Sequence, residues 1–260
     1  MTPIPFFQVD AFADGPFTGN PAAVMPLQEW LPDEVMQAIA AENNLSETAF
    51  TVPSEADTHD HDLRWFTPAV EVELCGHATL AAGHILLHGG QVRFMTKSGV
   101  LTVSRDDELL KLDLPAAQLR EAEEPELCEA LGLTPRPVWV ASGCNDAAII
   151  QLDSEAEIRA VSPDFKTLAG IHRMAIVTAR GDSHDIASRV FVPYGGIDED
   201  PVTGSAHAAL MPYWAERLGR THMTALQASK RTGVIDCELR GDRVILGGHC
   251  VTVIEGHFQL

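Results

Sequence analysis

Ten residues, DEDPVTGSAH from Asp198 to His207, place three acids, a bare glycine and a hydroxyl ahead of an apolar run, AALMPYWAERLG. A helix opening there presents unpaired N–H groups and partial positive charge. A glycine lets a ligand come close to that backbone, and the natural guest is a carboxylate or phosphate. Gly204 and Ser205 would offer N–H groups and a hydroxyl to such an anion. Asp200, fixed ahead of Pro201, would handle or orient a proton. Asp, Thr and Ser before a helix are also ordinary caps, so this stretch alone does not decide the matter. It is repeated, however: Gly76-His77-Ala78 opens another apolar helix, with a titratable His77 where Ser205 stands in the second copy.

Three side chains could carry protons. Glu47, in NNLSETAF, leads into an apolar strand, where partial burial would raise its pKa and let it act as acid near neutral pH. His77 sits at a helix start, where the helix dipole disfavours imidazolium and would keep it neutral. Cys75 precedes the same helix, a setting that can lower a thiol pKa. The matching turn of the second half has Thr203 and no cysteine, so a two-cysteine proton relay is not expected. His77, His84 and His88 recur along one helical face, and His84-x-x-x-His88 has a zinc spacing. The glutamate of an HExxH motif is missing, and a face packed on a sheet explains the histidines better. No metal is expected. GNPAAV is not a GxGxxG loop, and no phosphate-cradling motif or cofactor is indicated.

The elements that would position these groups come in two similar series. IPFFQVDAFA, AAVMPL, ETAFTV and LRWFTP read as strands. LPDEVMQAIAAENN is a helix of about three turns opening at Pro32. GHATLAAGHILLHGG is a helix closed by Gly89-Gly90, and VRFMTKSGVLTVSRDDELLKLDLP is a β-meander. AAQLREAEEPEL, charged and poor in bulky apolar residues, marks the junction, so the halves are residues 1–117 and 118–260. The second half repeats the plan: strands at VWVASG, AAIIQL, MAIVTAR and SRVFVPY, helices at SEAEIRAVSPDF and AHAALMPYWAERL, and a closing meander. The repeat is legible in residues. Arg64-Trp-Phe66-Thr-Pro68 and Arg189-Val-Phe191-Val-Pro193 are each followed by an acidic loop and then Gly-[His/Ser]-Ala. Recurrence in matching order points to duplication.

Composition narrows the partners. The chain of 260 residues carries a formal net charge of -19, which repels phosphate backbones and anionic lipid, so nucleic acid and membranes are set aside as partners. Hydrophobic residues make up 45%, enough for a sizeable core. The five cysteines (Cys75, Cys128, Cys144, Cys237 and Cys250) are scattered and form no CxxC pair, which reads as free thiols in a reducing compartment. Without a signal-like start or a membrane-length apolar run, a soluble cytoplasmic protein is expected.

VDAFADGPFTGNPAAV, LSETAF, RWFTPAVEVELCGHATLAA, IDEDPVTGSAH and QASKRTG, in this order over nearly the whole chain, resemble the PhzF-like family, named for the phenazine-biosynthesis isomerase. The resemblance implies an α+β, diaminopimelate-epimerase-like fold. Two pseudo-symmetric domains each wrap a curved, mostly antiparallel sheet around a central helix, with the active site in the cleft between them. By resemblance the catalytic glutamate falls on Glu47, the active-site histidine on His77 and the aspartate on Asp200, with substrate contacts at Gly76, Gly204 and Ser205. The implied activity is cofactor-independent isomerisation: acid–base proton transfer on a small carboxylate-bearing substrate, by a protein that forms homodimers. In the namesake the glutamate moves a proton between carbons of a dihydro-hydroxyanthranilate. Cys75 resembles in position one of two catalytic cysteines of related epimerases, and the other is missing here. Two rival readings stand beside the isomerase: an amino-acid epimerase or racemase, which needs a second proton carrier, and a small-anion binding or interaction protein that has lost catalysis.

Overall fold

The computed structural model describes residues 3–142 and 146–260. Cys144 and the last residue of the strand expected at VWVASG lie outside them. The chain divides into two compact units, one comprising the residues up to Asp113 together with Gly247–Leu260, the other Leu114–Leu246.

In the first unit, Ile4–Ala11 runs antiparallel to Asn20–Pro26, which runs parallel to Glu47–Pro53. Glu47–Pro53 pairs antiparallel with His61–Phe66. That strand holds the short Glu71–Val72 antiparallel and Gln91–Thr96 parallel, and Gly99–Asp106 follows antiparallel. Helix α1 (Asp33–Asn43) has Pro32 at its N-cap and ends on Asn44 in the left-handed conformation. Its Met36 and Ile39 pack on Met25, Phe50 and Phe66. Helix α2 (Gly76–Leu86) is buried from Gly76 to Gly83. It touches strands from Gly99–Asp106 across the middle ones to Cys250–Phe258, so the sheet curls around it. The helix ends at Leu86, with Leu87 extended, short of the Gly89-Gly90 stop expected from the sequence. Gly83 lets the helix sit close to its sheet, since a Cβ there would lie 2.5 Å from Cγ1 of Val103.

The second unit repeats the same signs of pairing. Val138–Ser142 is antiparallel to Ala147–Gln151, which is parallel to Met174–Arg180. Ile186–Val192 follows antiparallel, carrying Ile197–Asp200 antiparallel and His222–Gln227 parallel. Gly233–Arg240 comes next, antiparallel. The stretch AAQLREAEEPEL belongs to this unit: Gln118–Ala122 pairs with Val138–Ser142, and Pro125–Ala130 is helix α3. The single helix expected at SEAEIRAVSPDF is two, α4 (Glu155–Ala160) and α5 (Phe165–Leu168), separated around Pro163. Leu127, Ile150, Ile158, Leu168, Val177 and Phe191 fill the core of this part. Helix α6 (Gly204–Leu218) likewise touches strands far apart in its sheet, Gln118–Ala122 and Gly233–Arg240. Pro212 inside α6 cannot bond the carbonyl one turn back, and that carbonyl, on Ala208, accepts the N–H of Ala117.

The eighteen strands of the described residues form two series of nine, and the last strand of each series pairs with the first strand of the other. Gln118–Ala122 pairs with Val138–Ser142, and Cys250–Phe258 with Ile4–Ala11. This is why the compact unit built on the N-terminal strands includes Gly247–Leu260. The RxFxP repeat has a common job. Arg64 makes a two-pronged ion pair with Glu71 at 2.8 and 3.0 Å and lies over Phe66. Arg189 does the same with Glu199 at 2.7 and 2.9 Å and lies over Phe191. Each fork ties a core strand to the short strand leading into a central helix, and bidentate geometry fixes orientation as well as distance.

Candidate active site

The mouths of α2 and α6 differ from the other helix starts. Ser154 caps α4 and Asp164 caps α5 through backbone N–H groups, while α1 and α3 carry acids in their first turns. Among the described α-helices only α2 and α6 have neither a side-chain cap nor a first-turn acid. Gly76, Gly204 and Ser205 are buried there. Uncapped, buried N–H groups are costly unless something accepts from them.

At the mouth of α2 the sequence-predicted Glu47 and His77 come together. Glu47 is the first residue of its strand, and Oε2 lies 3.0 Å from Nε2 of His77, with the two side chains 14% and 4% exposed. The contact is close but not aligned as a hydrogen bond, and both atoms are buried without another partner. On the other side of the ring, Nδ1 lies 3.1 Å from Nδ2 of Asn20 and 3.6 Å from Sγ of Cys75. Ser46 donates to Oδ1 of Asn20 at 2.9 Å. With the amide so held, Asn20 donates into Nδ1, and the ring proton sits on Nε2, facing Glu47.

The charge states differ from those expected of a helix start. Burial opposes a charge on His77, but its contacts with Cys75 and with the Glu47 carboxylate outweigh burial and raise its pKa well above the ordinary histidine value. A carboxylate at 3.0 Å therefore overrides the helix dipole, and the neutral histidine expected from sequence is corrected to one drawn towards imidazolium. Nε2 already carries the neutral ring's proton, so the added proton falls on Nδ1, where the Asn20 amide opposes it. The lowered thiol pKa expected for Cys75 is corrected as well. Burial, helped by the Glu47 charge, pushes the thiol up to about 11, so Cys75 keeps its proton at neutral pH. The helical histidine face does not assemble a metal site. His88 lies beyond the end of α2, and His84 contacts the hydroxyl of Thr252 at 3.0 Å.

At the mouth of α6, Asp200 is buried and accepts from the Thr203 hydroxyl at 2.5 Å. Gln227 fastens this turn. It accepts from the N–H of Thr203 at 2.8 Å and donates to the Asp200 carbonyl at 2.7 Å and to the Thr203 hydroxyl at 3.1 Å. Because that hydroxyl accepts from Gln227, its own proton is committed to the Asp200 carboxylate. Ser229 donates to the Pro201 carbonyl at 2.7 Å. His207, one turn into α6, contacts the Thr203 carbonyl through Nδ1 at 2.8 Å, and burial pushes its pKa down to about 4.

Sequence reasoning missed Asn20, Ser46, Thr203, Gln227 and Ser229 as supporting residues. The only signal was that GNP, LSETAF and QASKRTG were distinctive stretches. The repeat also allows the two mouths to be compared position by position. Thr48 is paired with Phe66 and Ala175 with Phe191, so Glu47 corresponds to Met174, Cys75 to Thr203 and His77 to Ser205. None of Glu47, Cys75 and His77 is repeated at its equivalent position in the second half.

Known proteins resemble this chain over its whole length. A family profile described as phenazine biosynthesis-like protein matches residues 9–256. An uncharacterized isomerase of Pseudomonas aeruginosa is 50% identical over 262 residues, covering 98% of each chain. The crystal structure of a PhzF-family phenazine biosynthesis protein from Enterococcus faecalis superposes with a TM-score of 0.90 at 42% identity, covering 100% of both chains. The hydroxyproline epimerase of Agrobacterium vitis shares the fold, with a TM-score of 0.68 at 10% identity over 98% of this chain and 92% of that one. Among the described residues no helix is long and apolar enough to cross a membrane.

Proposed function

The chain belongs to the phenazine biosynthesis-like family and is an isomerase, and from that premise we propose that it moves a proton between two carbons of a small carboxylate-bearing substrate, with Glu47 as the carrier. The Glu47 carboxylate takes the proton from a C–H bond, and the electron pair passes into the adjacent π system. Glu47, now a carboxylic acid, returns the proton to another carbon of that system. No electrons leave or enter, and neither metal nor organic cofactor takes part. His77, with its Nε2 proton against Glu47, holds the carboxylate in place and sets its readiness to give the proton back. The uncapped mouth of α2 at Gly76 offers free N–H groups to the substrate carboxylate. The mouth of α6 offers the same at Gly204 and Ser205, with Asp200, locked by Thr203 and Gln227, as its polar group.

The observation that carries this reading is the one-sidedness of the repeat. An epimerase that uses two carriers needs a second acid–base group, and the positions equivalent to Glu47, Cys75 and His77 hold Met174, Thr203 and Ser205. Cys75, protonated at neutral pH, is a bystander to the proton transfer.

The reading is tested by proton NMR in D2O with small unsaturated carboxylates, the dihydro-hydroxyanthranilate of the family's namesake first. Isomerised, deuterium-labelled product is expected with the native chain and none with Glu47→Gln. Full turnover by Glu47→Gln would remove Glu47 from its role. Tight binding of the carboxylates without exchange by the native chain would favour a binding protein instead.

A further inference from the structure

Glu47, Cys75 and His77 each present one metal-ligating atom, and the three atoms lie within 4.8 Å of one another, the one such group among the described residues. We propose that the trio binds a zinc-class divalent cation, and that its occupation switches proton transfer off; the second half of the proposal rests on the role given above to Glu47. The donor set of thiolate, imidazole and carboxylate suits zinc and its soft relatives and disfavours magnesium and calcium, which take oxygen ligands.

The geometry of the bite fits. A tetrahedral zinc with Zn–S of about 2.3 Å and Zn–N of about 2.1 Å sets sulfur and nitrogen about 3.6 Å apart. Sγ of Cys75 and Nδ1 of His77 are 3.6 Å apart. Oε2 of Glu47 stands on the other side of the ring, 3.0 Å from Nε2 without an aligned hydrogen bond, so the carboxylate leaves that ion-pair contact and turns about its side chain to reach an ion held at Nδ1. Three protein ligands leave a fourth position open.

The charges balance. The thiol of Cys75, and His77 where it carries a second proton, release these protons to solvent as the Zn–S and Zn–N bonds form. Thiolate and carboxylate then cancel the two positive charges, and a neutral assembly is the form of a metal site that burial tolerates best. A net charge of -19 raises the local concentration of cations around the chain. Binding commits the lone pair with which Glu47 would take a proton. It also takes Nδ1 of His77 away from Asn20. The ion is therefore an inhibitor of the site and no part of its chemistry.

The test uses the intact protein and CdCl2 or ZnCl2 as probes, with no substrate required. Cadmium titration is expected to give an ultraviolet thiolate-to-metal absorption band that saturates at one ion per chain. The band should persist in Cys250→Ser and Cys144→Ser and vanish in Cys75→Ser. Cys75→Ala repeats the measurement should the serine variant unfold. In the exchange assay, zinc should stop the native chain and leave Cys75→Ser running. A native chain without the band, or a band that survives loss of Cys75, overturns the proposal even if Glu47-dependent turnover is found. Binding that leaves exchange untouched overturns the inhibition. Should no substrate be turned over, the band still decides the metal site by itself.

Discussion

Nδ2 of Asn20 stands 3.1 Å from Nδ1 of His77, and this contact decides which ring nitrogen faces Glu47. Removing it leaves a buried imidazole free to place its proton on either side. Leaving a buried polar group unsatisfied costs about 1–3 kcal/mol, which corresponds to a loss of about 5- to 150-fold. Asn20→Ala is expected to lower kcat by that order while leaving KM nearly unchanged. Asn20→Asp should also displace the pH profile, because its carboxylate accepts where the amide donates. Steady-state kinetics across pH checks both. A parallel loss in KM would assign Asn20 to substrate binding instead.

Gln227 plays the matching part in the other unit, holding Thr203 and the Asp200 carbonyl through three hydrogen bonds. Gln227→Leu frees the turn at the mouth of α6. The expected outcome is a KM raised by about 10-fold or more, with a loss of stability of about 1–3 kcal/mol. Gln227→Glu, which keeps an acceptor for the Thr203 N–H but loses the donor to Asp200, should fall between. Kinetics and denaturant titration on the same samples separate the two effects.

The close approach of α2 to its sheet predicts an inverted glycine effect. Alanine in place of a helix-interior glycine ordinarily stabilises by about 1 kcal/mol. At Gly83 the new Cβ meets Val103 at 2.5 Å, and overpacking costs about 1–3 kcal/mol. Gly83→Ala should therefore destabilise, and Val103→Ala in the same chain should recover part of the loss. Urea midpoints at constant slope measure it.

Acid stability is governed in part by His207. Its pKa falls to about 4 in the folded chain because burial excludes its charged form, whereas the unfolded chain binds a proton near 6.5. Between those values the unfolded state holds more protons, so stability drops as pH falls, by about 3 kcal/mol in all. His207→Gln should flatten that slope. At the alkaline end the sign reverses. Cys75, held up to about 11 by burial, keeps a proton that the unfolded chain releases near 9, so stability is lost as pH rises through that range. Unfolding free energies measured from pH 4 to 11 test both limbs.

The sequence displayed what is local and hid what is tertiary. RxFxP and Gly-[His/Ser]-Ala were legible because one ion-pair fork and one helix entry are each built from a few neighbouring residues. The paired acids appeared only as acidic loops, and their partners, Arg64 with Glu71 and Arg189 with Glu199, emerge from strand pairing. The exchange of closing strands was invisible, because nothing in CVTVIEGHF says that its neighbour is Ile4–Ala11. His77 was misjudged for the same reason: its helix position is local, while the carboxylate that fixes its charge lies thirty residues back. Asn20 and Gln227 gave no signal as single residues, since an amide matters only for what the fold sets against it.

The central claim is that one carrier, Glu47, both removes and returns the proton, and the stereochemistry of transfer tests it most directly. The turnover is run in D2O, and the face of the product that carries deuterium is compared by NMR with the face from which the substrate proton left. A single carboxylate predicts delivery to the same face. Deuterium on the opposite face would require a second carrier, and the one-carrier account would be contradicted.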